Sequence, residues 1–165
     1  MPKRRKDVII FDAPPVIAAW GSAGGKKESE GPLASAFDYL TRDAAFADEN
    51  CANWEQAESM LQQKAAGICL RKAGIAAKDV DLTFAGDLQA QCTASNYTLR
   101  TLATPFAGLY GACSTMTEAL CLGASFSATG LARQVLAMTS SHFCTAERQF
   151  RTPLSYGAVR TPTAQ

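Results

Sequence analysis

Cys113 is the residue of this sequence best placed to do chemistry. It lies in the run Gly-Ala-Cys-Ser-Thr at 111–115, between a short apolar segment and a longer one. That pattern predicts a turn between a buried strand and a buried helix. At a helix start, unpaired backbone N–H groups and the helix dipole favour a thiolate and could stabilise an oxyanion. The alternative is a small buried residue that packs a tight turn, since free cysteine commonly behaves so.

The elements around Cys113 predict an α/β protein with a largely parallel sheet. We predict strands over residues 7–12, 16–20, 80–85, 106–110 and 134–138, and helices over 54–73, 93–103 and 114–128. Strands that alternate with helices are typical of layered α/β folds, in which ligands gather beyond the carboxyl ends of the strands. Cys113 falls at that edge.

Local signals define the predicted helices. Asn53 followed by Gln56 resembles a helix-start capping arrangement, and Gly74 supplies the stop. Apolar residues of this helix share one face, namely Trp54, Ala57, Leu61, Ala65 and Ile68. Helix 114–128 carries Glu118 as its single charged side chain, which predicts burial on nearly all sides. The Gly-rich stretch 21–31 predicts an exposed loop.

Composition restricts the class of protein. The chain has 165 residues, 47% hydrophobic and 19% charged, which predicts one compact domain. The net charge is +1, and no base-reading or stacking motif is present, so nucleic acid is not an expected partner. No run approaches the roughly 20 apolar residues that span a bilayer.

A basic cluster, Lys-Arg-Arg-Lys, stands at 3–6. We expect a solvated, frayed tail there; the alternative is weak attraction to an anionic membrane face, at roughly 1 kcal/mol per charge. The apolar run at 8–11 is too short for a signal-peptide core, which favours the cytosol.

Six cysteines lie far apart without a Cys-x-x-Cys pair, and His142 is the single histidine. This spacing argues against zinc, and in the cytosol the thiols are expected to be reduced. We therefore predict no metal and no cofactor.

Five segments carry a resemblance to known proteins. A cysteine between an apolar strand and a small-residue helix resembles the nucleophile elbow of the thiolase superfamily, which includes the ketoacyl synthases. More specifically, five motifs in order resemble the stage V sporulation protein AD family of endospore-forming bacteria. They are Gly-Pro-Leu at 31–33, Phe-Ala-Gly-Asp-Leu at 84–88, Gly-Ala-Cys-Ser-Thr at 111–115, Thr-Ser-Ser-His at 139–142 and Thr-Ala-Glu-Arg-Gln-Phe-Arg at 145–151.

The resemblance implies a fold and a function. The fold would be the amino-terminal half of a thiolase-like protein, a layered αβα arrangement with a mostly parallel mixed sheet. Residues 1–165 would form a single domain, with the second half of the fold absent. That family is non-catalytic and binds dipicolinate, pyridine-2,6-dicarboxylate, for uptake into the developing spore. The resemblance therefore implies a cytoplasmic protein, peripheral at the spore inner membrane, that works with membrane proteins of the uptake complex and forms a homodimer in its full-length form.

Dipicolinate also implies the kind of site. It is a planar dianion, accompanied by calcium in spores, and its carboxylates suit guanidinium forks, N–H groups at a helix start and hydroxyl or imidazole donors. The candidate ligand-binding residues are Cys113, Ser114, Ser141, His142, Glu147, Arg148 and Arg151.

Each candidate has a structural alternative. His142 beside two serines could be a hydrogen-bonded structural residue, and the charges at 147–151 could pair with one another or with solvent. Asp87 ends a predicted strand on the pocket side, but one carboxylate falls short of the about six to eight oxygens that calcium takes. We predict no metal site there.

Two other functions remain open. One is a condensing or acyl-transfer enzyme of the thiolase type with Cys113 as nucleophile. Because that chemistry needs a base and a carbanion-stabilising site beside the cysteine, we do not expect an independent enzyme. The other is a non-functional remnant. In a lone half, part of the apolar helix after Cys113 would lack a partner, which predicts poor solubility, dimerisation or dependence on the missing half.

Overall fold

A computed structural model describes residues 3–43, 50–142 and 145 of the chain. The elements in chain order are β1 (Lys3–Arg5), β2 (Val8–Ile10), β3 (Ala23–Gly24), α1 (Lys26–Ser29), β4 (Tyr39–Leu40), α2 (Trp54–Ala73), β5 (Leu82–Gly86), α3 (Thr93–Leu102), β6 (Phe106–Gly108), α4 (Thr115–Ala128) and β7 (Val135–Thr139). Short 3₁₀ turns at Ala34–Ala36, Ala77–Asp79, Ala90–Cys92 and Ala112–Ser114 join some of them.

A three-stranded parallel sheet in the order β6-β5-β7 forms the centre. Thr83 of β5 pairs with Phe106 of β6, and Ala85 pairs with Met138 of β7. Two small sheets lie apart from it: β1 and β2 form an antiparallel hairpin, while β3 and β4 are parallel. The predicted α/β class with parallel strands is confirmed.

Helices cover both faces of the central sheet. One core cluster joins Leu70 of α2 and Leu99 of α3 to Ala85 and Leu136 in the sheet. The opposite cluster joins Phe84 of β5 to α4, where the Phe84 and Phe126 rings meet edge to face at 5.2 Å. Because neighbouring strand residues point to opposite faces, this gives an αβα sandwich. The thiolase-like topology and the single-domain assignment stay predictions.

The helix signals read from the sequence are confirmed. Asn53 Oδ1 accepts from the Gln56 backbone N–H at 2.8 Å, and Gly74 ends α2 with φ +70°. The predicted helices at 93–103 and 114–128 correspond to α3 and α4. The predicted strands at 80–85, 106–110 and 134–138 correspond to β5, β6 and β7 with shifted or shortened ends.

Three amino-terminal predictions are wrong. Residues 3–5 are not a frayed tail, because a turn in which Lys6 takes φ +52° folds them onto β2. The segment 16–20 is not a strand, and its Val16 side chain is exposed. The stretch 21–31 is not a simple loop, because it contains β3, which pairs with β4, and α1.

The predicted helix faces need correction. In α4 the buried residues are Thr115, Ala119 and Gly123, while Met116 and Leu120 are 38% and 42% exposed. Burial of α4 on nearly all sides is therefore wrong: small residues let its inner face approach the sheet, and the outer face stays open. In α2, the buried residues include Ala57 and Ile68 as predicted and also polar Glu58, Ser59 and Gln62. Within the described part of the chain, no helix is long and apolar enough to cross a membrane.

Candidate functional site

The carboxyl ends of the three parallel strands meet at one edge of the sheet. Backbone hydrogen bonds join them there: Leu109 N–H donates to the Ala85 carbonyl at 2.8 Å, and Ser140 N–H donates to the Gly86 carbonyl at 3.2 Å. A Cβ added at Gly86 would lie 1.9 Å from the Leu109 carbonyl oxygen, so the close approach requires glycine. The residues that follow the three strands therefore lie together at this edge, where a parallel sheet is expected to hold its ligands.

Cys113 lies in the 3₁₀ turn Ala112–Ser114, which leads directly into α4. Ala112 takes φ +49°, a left-handed conformation that is costly for a residue with a Cβ and that often marks functional turns. The Cys113 side chain is exposed, so the alternative of a buried packing residue is wrong. The neighbouring Ser114 hydroxyl donates to the Gly111 carbonyl at 2.6 Å and thus caps its own turn.

A cleft of about 460 Å³ opens beside Cys113. Its walls come from β3 and the segment before it, from α2, from the residues after β5, from the turn at 112–113 with the first turn of α4, and from the end of β7 with the residues after it. They are Gly21, Ser22, Ala23, Glu58, Leu61, Gln62, Ala65, Leu88, Ala112, Cys113, Met116, Thr139, Ser140 and Ser141. Two sequence-predicted residues, Cys113 and Ser141, thus share one cleft.

His142 lies beside α2. Its ring stacks on the Trp54 indole, with centroids 5.6 Å apart and planes 21° from parallel. Burial lowers the pKa of His142 below its ordinary value, and the nearby Glu58 and Glu28 carboxylates partly offset this. Glu147, Arg148 and Arg151 lie outside the described residues.

A buried carboxylate lies in the wall of the cleft. Glu58 of α2 is 1% exposed and accepts three hydrogen bonds from side chains. The donors are the Gln89 amide at 2.8 Å, the Ser140 hydroxyl at 2.6 Å and the Thr145 hydroxyl at 2.5 Å. Glu58 therefore connects α2 to the residue that follows β7 and to Thr145 beyond it.

Gln62, one helical turn after Glu58, continues this connection. Its Nε2 donates to the Ser140 hydroxyl at 2.7 Å and to the Ser95 hydroxyl at 3.0 Å. Its Oε1 is buried and has no hydrogen-bond partner among the described residues. Gln62 thus ties the end of β7 to α3.

Asp87 takes part in the same network. Its carboxylate accepts from the Ser95 backbone N–H at 2.8 Å, the Ser95 hydroxyl at 2.7 Å and the Gln89 backbone N–H at 2.9 Å. These contacts explain why a strand-end aspartate is buried: it caps the start of α3. Within residues 3–43, 50–142 and 145, no group of three or more His, Cys, Asp or Glu side chains could hold a metal ion.

The described lining of the cleft provides hydrogen-bonding groups and no positively charged side chain. Its described lining carries hydroxyl, thiol, amide and carboxylate groups, and none of these lining residues is lysine or arginine. The described residues also place no basic side chain in hydrogen-bond contact with the Cys113 thiol. This part of the site suits a ligand that accepts hydrogen bonds, with positive charge supplied from elsewhere.

Sequence reasoning missed Glu58 and Gln62. Together with Trp54 they follow an i, i+4, i+8 spacing along α2, so the three side chains form one stripe. The sequence shows this spacing, but a Glu and a Gln in the middle of a helix are typical of a solvated face. No local signal reveals that their hydrogen-bond partners lie at positions 140 and 145.

Comparison with known proteins places the chain among sporulation proteins. The family model described as Stage V sporulation protein AD (SpoVAD) matches residues 5–165. A curated relative, Stage V sporulation protein AD of Bacillus subtilis (strain 168), is 40% identical over 159 residues. The match covers 96% of this chain and 46% of the relative, so the chain spans less than half the length of the relative.

Proposed function

Because the chain belongs to the stage V sporulation protein AD family, we propose that it is a dipicolinate-binding component of the spore uptake machinery and that the Cys113 cleft holds the ligand. The observation that carries this proposal is the cleft itself. Its volume of about 460 Å³ lies within the range of about 300–1,000 Å³ typical of small-molecule sites. It opens at the carboxyl edge of a parallel sheet, beside the start of α4.

The start of α4 supports an anionic ligand. The helix has 14 residues and its dipole places partial positive charge at this end, where the Ser114 and Thr115 N–H groups donate to the Gly111 and Ala112 carbonyls. This end of the dipole favours a carboxylate. Exposed Ser141, which also lines the cleft, offers a hydroxyl donor. We assign one ligand carboxylate to the space between Cys113 and Ser141.

A dianion needs positive charge that the described lining does not supply. Arg148 and Arg151 follow Thr145 by three and six residues in the sequence, and the Thr145 hydroxyl donates to Glu58 in the cleft wall. We assign these two guanidinium groups to the second carboxylate, since a guanidinium fork binds a carboxylate in two places.

Isothermal titration calorimetry of the 165-residue chain with dipicolinate, with and without calcium, tests the proposal. We expect Arg148→Ala to weaken binding about tenfold or more and Cys113→Ala to weaken it less, since a guanidinium–carboxylate contact contributes about 1.5–3 kcal/mol. Lys78→Ala is the matched control, because exposed Lys78 lies in the turn before β5, at the opposite edge of the sheet. Isophthalate, which lacks the ring nitrogen, tests ligand selectivity. Absence of heat at millimolar dipicolinate would overturn the proposal.

The exposed thiol of Cys113 favours acyl transfer as a second candidate function. The Cys113 sulfur would attack the carbonyl of an acyl-coenzyme A, a new thioester would form on the protein, and coenzyme A would leave as its thiol. Incubation with acetyl-coenzyme A followed by intact-mass measurement decides this. A mass increase of one acetyl group that Cys113→Ala abolishes would support an enzyme, and an unchanged mass would exclude the step.

We further propose that the chain acts at the periphery of the developing spore's inner membrane, with membrane proteins of the uptake complex, and that the full-length form is a homodimer. Family membership supports these proposals. Co-purification of the chain with small membrane proteins from sporulating cells would support the first, and a monomeric mass of the full-length form in light scattering would contradict the second.

A further inference from the structure

One stripe of α2 holds the segment that follows β7. Trp54, Glu58 and Gln62 are spaced by four residues, so their side chains project from the same side of the helix. Trp54 stacks on the His142 ring, Glu58 accepts from Ser140, and Gln62 donates to Ser140. Three successive turns of one helix thus contact residues just beyond β7.

We propose that Glu58 is a positioning residue: its carboxylate fixes the segment that carries Ser141 and His142 against the cleft, and thereby sets the affinity of the site for its ligand. This inference rests on the proposed function. Glu58 lies in the cleft wall, but its two oxygens are occupied by protein donors. Glu58 therefore affects ligand affinity indirectly, by fixing the residues that donate to it.

The three donors explain why a carboxylate is needed at this position. The Ser140 hydroxyl uses one oxygen, whereas the Gln89 amide and the Thr145 hydroxyl share the other. A carboxylate accepts on both oxygens, while an amide accepts on one and presents N–H hydrogens on the other side. Glu58→Gln must therefore place an N–H group against at least one existing donor.

The contacts reach His142 from two directions. The Thr145 hydroxyl, which donates to Glu58, also lies 2.8 Å from the His142 carbonyl oxygen. On the other side, the His142 ring rests on Trp54. Among the residues that the structure describes, the charged groups that act on the ring are Glu58 and Glu28, and both favour its protonated form against the effect of burial. Loss of the Glu58 charge should therefore lower the titration midpoint of the ring.

The single histidine gives a direct readout. His142 contributes one imidazole C2–H signal in a proton NMR spectrum, and the stacked Trp54 ring shifts that signal by its ring current. We expect Glu58→Gln to move the signal and lower its titration midpoint, and to weaken dipicolinate binding about tenfold. Thr145→Val removes one donor and keeps the carboxylate and the side-chain volume, so it provides a milder variant that shifts the signal in a folded protein.

Thr98→Val is the matched control. It removes a buried hydroxyl that bonds to Ser59 Oγ at 3.0 Å, between α2 and α3, without touching the stripe. It should lower stability but leave the His142 signal and the affinity unchanged. If Glu58→Gln and Thr145→Val leave either the signal or the affinity as in the wild type, the positioning role is overturned. If the wild-type chain itself fails to bind dipicolinate, the proposed function fails, and the His142 signal of Thr145→Val, which keeps the Glu58 charge, then decides whether this contact positions the segment.

Discussion

The side-chain amide of Gln62 donates to the Ser140 hydroxyl at 2.7 Å and so joins α2 to the end of β7. The direction of this hydrogen bond is fixed by its neighbours. The Ser140 hydroxyl already donates to Glu58, and the Ser95 hydroxyl already donates to Asp87. Since each hydroxyl has one hydrogen, both must accept from Gln62, whose Nε2 therefore faces them. Two carboxylates thus set the orientation of the amide through the two hydroxyls that lie between them.

This orientation predicts a strong asymmetry between two substitutions at position 62. Gln62→Glu would place a carboxylate oxygen against two hydroxyls whose hydrogens are engaged, beside buried Glu58 and Asp87. We expect it to lower the free energy of unfolding by more than about 3 kcal/mol, whereas Gln62→Met, which keeps the length without charge, should cost about 1–3 kcal/mol. Urea denaturation at pH 7 measures both. Equal losses for the two variants would contradict the network.

The depressed pKa of His142 predicts a pH dependence of stability. Because burial favours the neutral ring, the unfolded chain binds the proton more tightly, and protonation favours unfolding. The contribution of the neutral ring is complete above the ordinary pKa of about 6.5 and is lost as pH falls through the lower pKa of the folded state. We expect the wild type to lose more stability between pH 7 and 5 than His142→Gln, in matched urea titrations. Parallel curves for the two proteins would rule this out.

The sequence was sufficient for elements with local signals. Some elements depend only on residues close in the chain, and the structure contains all of them. They are the helix cap at Asn53, the helix end at Gly74 and the apolar runs that form β5 and β7. The placement of Cys113 between a strand and a helix followed from the same kind of pattern.

The polar interior could not be predicted because its causes are distant in sequence. Glu58 looks like a solvated helix residue until Gln89, Ser140 and Thr145 supply three donors from 31, 82 and 87 residues away. Burial of a carboxylate is costly without such partners, so no local rule places it inside. The exposed outer face of α4 could not be predicted for a related reason. Small apolar residues indicate that a helix packs closely against a neighbour, but they do not indicate how many of its faces are covered.

Two glycines should respond to alanine in opposite directions. At Gly86 a Cβ would lie 1.9 Å from the Leu109 carbonyl oxygen and 2.8 Å from Thr115 Cγ2, so the strand ends must move apart. We expect Gly86→Ala to cost about 3 kcal/mol or more, the upper range of overpacking. At Gly67, inside α2, a Cβ would meet nothing within 4 Å, so Gly67→Ala should stabilise by about 0.5–1 kcal/mol. Thermal unfolding measures both, and a stabilising Gly86→Ala would contradict the packing at the edge of the cleft.

Cys113 should be one of the faster-reacting of the described thiols and the one that dipicolinate protects. Cys113 and Cys121 are both exposed, but Cys113 lines the cleft and Cys121 does not. Burial raises the pKa of the Cys92 and Cys69 thiols, which leaves less thiolate at neutral pH. We expect iodoacetamide at pH 7 to modify Cys113 and Cys121 faster than Cys69 and Cys92, as followed by peptide mass spectrometry. Dipicolinate should slow the reaction at Cys113 and not at Cys121, because the first lines the cleft and the second does not. Protection of both cysteines, or of neither, would show that the ligand does not occupy the cleft.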